Sequence, residues 1–306
     1  MQHEKVKSYK LYDLINMDDP IEVINETKKI ISLMYENFDY PLYEKVCNDV
    51  IRLFNGEYPG YRRCNTAYHD LNHTMNTLLA MIRLIHGYSI KKGMLSKHKV
   101  LIGLFAALFH DTGYIQKSGD KKGTGAKYTK KHVDRSIRFA RAYLYQNGAT
   151  KRDVYDCTSI IKCTQLNRNV DTIKFGSSEA MVIGKILGTA DCIGQMADRI
   201  YIEKLLFLFK EFNEGNISEF ENEFDLLKKT TLFYKFIQNR CEKQLGGMNH
   251  YMVHHFKARW GINEDLYQKA IDNNIQYLTK IANDISKNYL SYLKRGNILK
   301  KLDDKL

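Results

Sequence analysis

The stretch Val100–Asp111, VLIGLFAALFHD, is apolar on every side of a helix and then ends in a histidine and an aspartate. A surface helix keeps a polar face, so a segment without one belongs in the middle of a protein with other elements around it. Those elements should be helices as well. The three prolines, Pro20, Pro41 and Pro59, all fall in the first sixty residues, and nothing downstream interrupts a series of long helices. The expected fold class is all-α, and 306 residues with 44% hydrophobic side chains are ample for its core.

Working outward, residues 1–60 read as short amphipathic helices, with a stripe of Val23, Ile24, Ile30, Ile31 and Met34 before a break at Pro41. A stronger helix is predicted from Thr66 to about Ile85, because Leu71, Met75, Leu78, Ile82 and Ile85 recur at spacings of 3 and 4. GYSIKKGMLSKHK then reads as a basic link to the apolar segment. After it, TGYIQKSGDKKGTGAKYTKK (112–131) holds four glycines and six lysines and looks like a long loop. Further helices are expected at about 130–145, 151–165, 179–212 and 218–244, and a last pair over 249–294, with Asn263 as a candidate N-cap ahead of Glu264 and Asp265.

Six scattered cysteines without a C-x-x-C pair fit a reducing cytoplasm. The opening MQHEKVKSYK lacks a hydrophobic signal core, and the longest apolar run is about half of what a bilayer crossing needs. The expectation is therefore a cytoplasmic protein without a membrane partner. A net charge of +12 attracts polyanions, from nucleotides to nucleic acid, and is equally what a Lys-rich solvated surface would give.

Three features carry chemistry. In YHDLNH, Tyr68–His73, two histidines stand four residues apart. If Leu71 is set at zero on a helical wheel, its apolar partners fall within roughly 40°, whereas His69 and His73 fall near ~160° and ~200°. That direction argues against a histidine satisfied in its own helix's core and leaves open two histidines on a wet face. Asp111 ends the most apolar helix, where an ionised carboxylate is costly unless something compensates it, and a metal ion would; the plain alternative is an aspartate that starts a turn. In the third feature, Asp191 lies in MVIGKILGTADCIGQMADRIYIEKLLFLF and shares a small, polar face with Gly184, Gly188, Gln195 and Asp198, open either to a ligand or to a closely packed neighbour. Together, His73, His110, Asp111 and Asp191 supply two imidazoles and two carboxylates, a set that suits one divalent ion or a pair bridged by a carboxylate.

This order of residues resembles the HD-domain superfamily of metal-dependent phosphohydrolases, and Y-H-x-x-x-H looks most like its cyclic-nucleotide phosphodiesterase branch. The resemblance covers about residues 60–212. GTADCIGQMADRIYIEKLLFLFKEF and the later HHFKARWGINEDLY look like a group of bacterial HD proteins. The resemblance implies a phosphodiesterase-like helical bundle, with an N-terminal extension over 1–60, a metal-binding catalytic core over 61–212 and C-terminal helices over 213–306 packed on it. It implies His73, His110, Asp111 and Asp191 as ligands of a first metal, Asp111 as a bridge to a second, and His69 as the general acid. Tyr68 matches too, but Asp70 stands where that branch usually has Asn, and a carboxylate beside the acid histidine would raise its pKa. His132 is the one histidine between Asp111 and Asp191, so a six-ligand di-iron set is not expected; His132 reads as an extra ligand, a phosphate contact or an exposed helix start.

The implied activity is hydrolysis of a nucleotide or related phosphoester by hydroxide generated at the metal, with Mn, Mg, Co, Fe and Zn all admitted. Tyr68, Gln195, Asp198, Lys117, Lys121 and Lys122 are the candidates near the substrate. The lysine-rich loop reads either as a mobile lid or as a solvated loop. The alternative from another class is an HD fold that binds a nucleotide or nucleic acid as a sensor, without turnover. His250 and His254, four apart, are a weaker candidate pair, read as packed among aromatics with no acidic partner.

Overall fold

Pro20 and Pro41 stand in the first turns of two helices, α1 (Pro20–Ser32) and α2 (Tyr40–Asn55), where the missing N–H is one that a helix leaves unpaired anyway. Asp19 and Asp39 cap them, so the break falls just ahead of Pro41. The computed structural model describes residues 9–283 and 288–297. Nine more helices follow among the described residues: α3 (Leu71–Lys92), α4 (Lys97–Phe109), α5 (His132–Gln146), α6 (Lys151–Ile161), α7 (Ser178–Met196), α8 (Tyr201–Glu214), α9 (Glu223–Lys243), α10 (Met252–Trp260) and α11 (Leu266–Ala282). No strand occurs among the described residues beyond an isolated bridge between Tyr61 and Lys117, so the protein is all-helical.

The boundaries differ from the sequence expectation where side chains cap helices. α3 begins at Leu71, five residues late, because Asp70 turns its Oδ1 onto the His73 N–H at 2.9 Å and ends the run of helical residues there. It also runs on through the first half of the expected basic link. The expected 179–212 helix is two helices. Asp198 accepts from the Ile200 N–H at 3.0 Å in the gap between α7 and α8, so it stands beyond the helix that carries Asp191. Asp265, not Asn263, caps α11 by accepting from the N–H groups of Tyr267 and Gln268. Of the expected final helix pair, 284–287 lie outside the described residues, as do the first eight residues of the N-terminal stretch.

At the centre, α3 is buried on all sides from His73 to Gly87, with α1, α4, α7 and α10 packed around it. The wheel reading of α3 as a one-sided stripe is thus corrected: its polar positions, Thr74, Asn76 and Thr77, are buried as fully as Met75 and Leu78. α4 is buried from Val100 to Phe109, as its uniform apolarity requires. α1 and α10, from the two ends of the chain, both rest on α3, while α11 rests on α7. No helix among the described residues is long and apolar enough to cross a membrane.

Candidate metal centre

α4 delivers two of the candidate ligands at its end. His110 is its C-cap residue and still helical, whereas Asp111 leaves the helix at φ −111° and ψ 5°, the sparsely allowed bridge region in which active-site residues often sit. His73, in the first turn of α3, and Asp191, in the middle of α7, meet them. The His73 Nε2 lies 3.2 Å from His110 Nε2, 3.2 Å from Asp111 Oδ2 and 3.2 Å from Asp191 Oδ1. His110 Nε2 lies 3.3 Å and 3.5 Å from the same two carboxylate oxygens.

Whether these atoms suit a cation can be tested on their hydrogen bonds. His110 Nδ1 lies 2.7 Å from the Ala107 carbonyl, which can only accept, so Nδ1 carries the hydrogen and Nε2 of the neutral ring offers its lone pair to the cluster. Asp111 Oδ2 is buried and no well-aligned donor satisfies it. Lone pairs and carboxylate oxygens that face one another at this depth need protons or a cation between them. His73, His110 and Asp111 offer ligand atoms all within 4.8 Å of one another, and this buried group could hold a metal ion. Imidazole and carboxylate donors are the right chemistry for one.

Without a cation, protons fill that role. Burial pulls the His73 imidazole down, but Asp111 and Asp191 outweigh it and hold it at about 9. The same competition leaves His110 raised and both carboxylates lowered. A raised histidine contributes stability that is complete below its unfolded value of 6.5 and is lost as pH climbs through about 9. A metal held there would take the place of those protons, so its affinity would rise by about tenfold per pH unit for each proton displaced. Melting curves at pH 6 to 9 should therefore show a manganese-induced rise in Tm that grows with pH; a rise independent of pH would contradict protonated ligands.

At the edge of the cluster stands His69, which is not on α3 at all: it precedes the Asp70 cap. Its Nδ1 lies 2.6 Å from Glu211 Oε2, on α8, while Glu211 Oε1 accepts from the N–H groups of Ala67 and Tyr68 at 2.8 and 2.7 Å. Glu211 is 5% exposed and so holds both the ring and the loop that carries it. The carboxylate beside the histidine is thus Glu211, and Asp70 is a helix cap. The side chain of His69 is 15% exposed against 5% for His73 and 1% for His110, so it is nearer to solvent than either of them. Tyr114, fully buried, stacks on both His69 (4.3 Å between centroids) and His132 (4.5 Å).

His132 opens α5 with Nε2 3.7 Å from Asp111 Oδ1, and its Nδ1 donates to the Thr129 carbonyl at 2.6 Å. Burial, foremost, lowers its pKa, so the Nε2 lone pair faces the carboxylate, and His132 is no exposed helix start. This contact depends on Gly113, where a Cβ would meet the His132 carbonyl oxygen at 1.9 Å. Gly113→Ala should destabilise the fold by roughly 1–3 kcal/mol through overpacking at the α5 start. Gly119→Ala, with open space around its Cβ, should change the urea midpoint little; equal effects from both would remove the packing argument.

Other sequence candidates are placed as follows. Tyr68 donates to Gln195 Oε1 at 2.5 Å, and Gln195 Nε2 donates to the Asp191 carbonyl, so the two brace the segment of α7 that carries Asp191. Tyr68, His73, Asn76, Gln195, Asp198 and Lys204 line one small cleft, in which Lys204 Nζ pairs with Asp198 at 2.7 Å. Gly184 and Gly188 turn out to admit Cys163, Phe175 and Leu245, making theirs a packing face. The loop that reads either as a mobile lid or as a solvated loop is fastened: Asn65 holds Gln116 and Gly125 at 2.9 Å, Arg62 holds the Asp120 carbonyl at 2.8 Å, and Thr124 bonds Glu214. Lys117, Lys121 and Lys122 are exposed and, among the described residues, form no ion pair with the cluster. His250 has an acidic partner after all, the exposed Glu242 at 2.7 Å. Glu211 and Tyr114 were missed; the signal for Glu211 was an acid in the apolar run of α8, the same signal that marked Asp111 and Asp191.

Fold and site together define an all-helical protein with a buried His–Asp group able to hold a metal ion. Residues 23–246 match the Npun_R2479-like family, and the chain belongs to it. No curated protein and no solved structure matches the chain.

Proposed function

We propose that this protein is a metal-dependent phosphohydrolase of the HD type, acting on a nucleotide or a related phosphoester. One arrangement carries the reading: a deep set of two imidazoles and two carboxylates with a third imidazole, His69, fixed at its edge by a buried glutamate. A divalent ion held by His73, His110, Asp111 and Asp191 would, when bound, supply charge for the phosphoryl oxygens and acidify a water toward neutral pH. The chain's own part is positional and protonic. Glu211 keeps the hydrogen of His69 Nδ1, which leaves Nε2 as the atom that gives a proton to the departing oxygen. His132 Nε2, facing Asp111 Oδ1, stands where a second cation or a phosphoryl oxygen would be met.

Imidazole and carboxylate ligands admit Mn, Mg, Co, Fe or Zn, one ion or two. The net charge of +12 supports an anionic ligand, nucleotide or nucleic acid, and six unpaired cysteines, five of them buried, suit a reducing cytoplasm. A sensor that binds a nucleotide without turnover would make no use of a His69–Glu211 pair. Purified protein should release phosphate or open cyclic nucleotides when supplied with one of these metals. If Asp111→Ala altered neither metal content nor turnover, the proposal would fail; nucleotide binding without any hydrolysis would favour the sensor.

A further inference from the structure

Arg83 and Arg240 are both buried, yet the fold treats their charges differently. Arg240, 1% exposed, gives its Nη1 and Nη2 hydrogens to the carbonyls of Cys163, Gln165, Leu166 and Arg168 and to the Gln244 side chain. Arg83, 0% exposed, has one hydrogen-bond partner among the described residues, the Tyr267 hydroxyl, to which Nη1 donates at 3.1 Å. Its Nε and Nη2 are buried and meet no acceptor, and among the described residues no carboxylate pairs with it. A guanidinium keeps its proton at any ordinary pH, so this charge cannot be shed by titration, and a buried charge is costly unless something compensates it.

The surroundings add positive charge instead of removing it. His86, one turn after Arg83 on α3, has its Nδ1 3.0 Å from the Nδ1 of His255 on α10, so the buried pair shares one hydrogen. Burial, foremost, and then Arg83, His86 and Arg259 push the His255 imidazole well below its ordinary value, the sign of an uncompensated positive potential. The His255 Nε2 is buried and unpartnered as well. Two acids stand near this junction, and neither answers Arg83. Glu26, on α1, pairs through Oε2 with Arg259 at 3.5 Å and Lys29 at 4.0 Å, while its Oε1 receives no hydrogen bond. Asp265 accepts from the N–H groups of Tyr267 and Gln268 at the start of α11.

We propose that the Nε–Nη2 edge of Arg83 binds one small monovalent inorganic anion, of the size of chloride or bromide, enclosed where α3, α10 and α11 meet. The hydrogens of Nε and Nη2 run along one edge of the planar group, the fork with which an arginine holds an anion at two points. Arg83 and His255 have no exposed surface, so the occupant is enclosed and small, and its single charge balances that of Arg83. The site is separate from the metal centre: Arg83 stands ten residues after His73, about 15 Å along α3.

Crystals of the full chain grown in sodium bromide test this through the anomalous signal of the halide. A bromide peak is expected on the Nε–Nη2 edge of Arg83; a water refined in that place, or bromide found only at the protein surface, overturns the proposal. In solution, bromide exchanged for sulfate at constant ionic strength should raise the urea midpoint of the wild-type chain relative to that of Arg83→Met, which lacks the charge, because an ion that binds only the folded state stabilises it. The general effect of sulfate on burial acts on both proteins and cancels in the comparison. Midpoints that move together overturn the proposal. The crystal measurement uses the wild-type chain, so it decides the matter even if Arg83→Met does not fold.

Discussion

His73→Ala should lose bound metal while His69→Ala keeps it. The two histidines are four residues apart, yet their surroundings divide them. His73 Nε2 lies 3.2 Å from a histidine nitrogen and two carboxylate oxygens in the deepest part of the site, so its removal leaves a cation with one nitrogen fewer and two buried acids less well compensated. Loss of a residue that merely supports a metal ligand costs about 10–100-fold in affinity, and loss of a ligand should exceed that. Metal content by elemental analysis after dialysis decides it. Equal metal loss in both variants would sink the division of roles.

The second large effect is on rate. With metal retained, His69→Ala should lower kcat by roughly 10²–10⁴-fold, the range for removal of a general acid. Glu211→Gln should follow in the same direction by about 10–100-fold, because an amide can still accept the Nδ1 hydrogen but no longer pairs a negative charge with the ring. The acid's role predicts a shape as well as a size: substrates with a leaving group that departs without a proton should be spared in both variants. A loss equal for good and poor leaving groups would make His69 a binding residue. Glu211→Ala should in addition loosen Ala67 and Tyr68, whose N–H groups it accepts, so it should show a lower Tm as well as a lower rate.

His132 is informative about a second ion. It stands 3.7 Å from the Asp111 oxygen that faces away from the cluster, at the start of a helix that Gly113 allows to approach. That glycine sits three residues past His110, within the loop, and its position follows from a close approach of backbone rather than from a turn.

Local signals were legible in the chain. Uniform apolarity buried α4, the absence of prolines after residue 59 gave an all-helical protein, and costly acids in apolar surroundings pointed to Asp111 and Asp191. Periodicity located most helices but not their ends, because ends are set by side chains: Asp70 stops α3 from reaching His69, and Asp198 separates α7 from α8. The same cap explains why a wheel drawn through Tyr68–His73 gave His69 a direction it does not have.

What only the tertiary structure decided is which distant groups meet. Glu211 is 142 positions from His69 in the chain, and no local pattern joins α8 to the loop before α3. The stacking of Tyr114 between neighbours and the fastening of the 112–131 loop likewise depend on contacts between elements. Burial cost is a property of a residue and its immediate neighbours, so the sequence itself pointed to the candidate acids Asp111 and Asp191; hydrogen-bond partners arise from packing of helices far apart in sequence, and they exist only once the chain is folded.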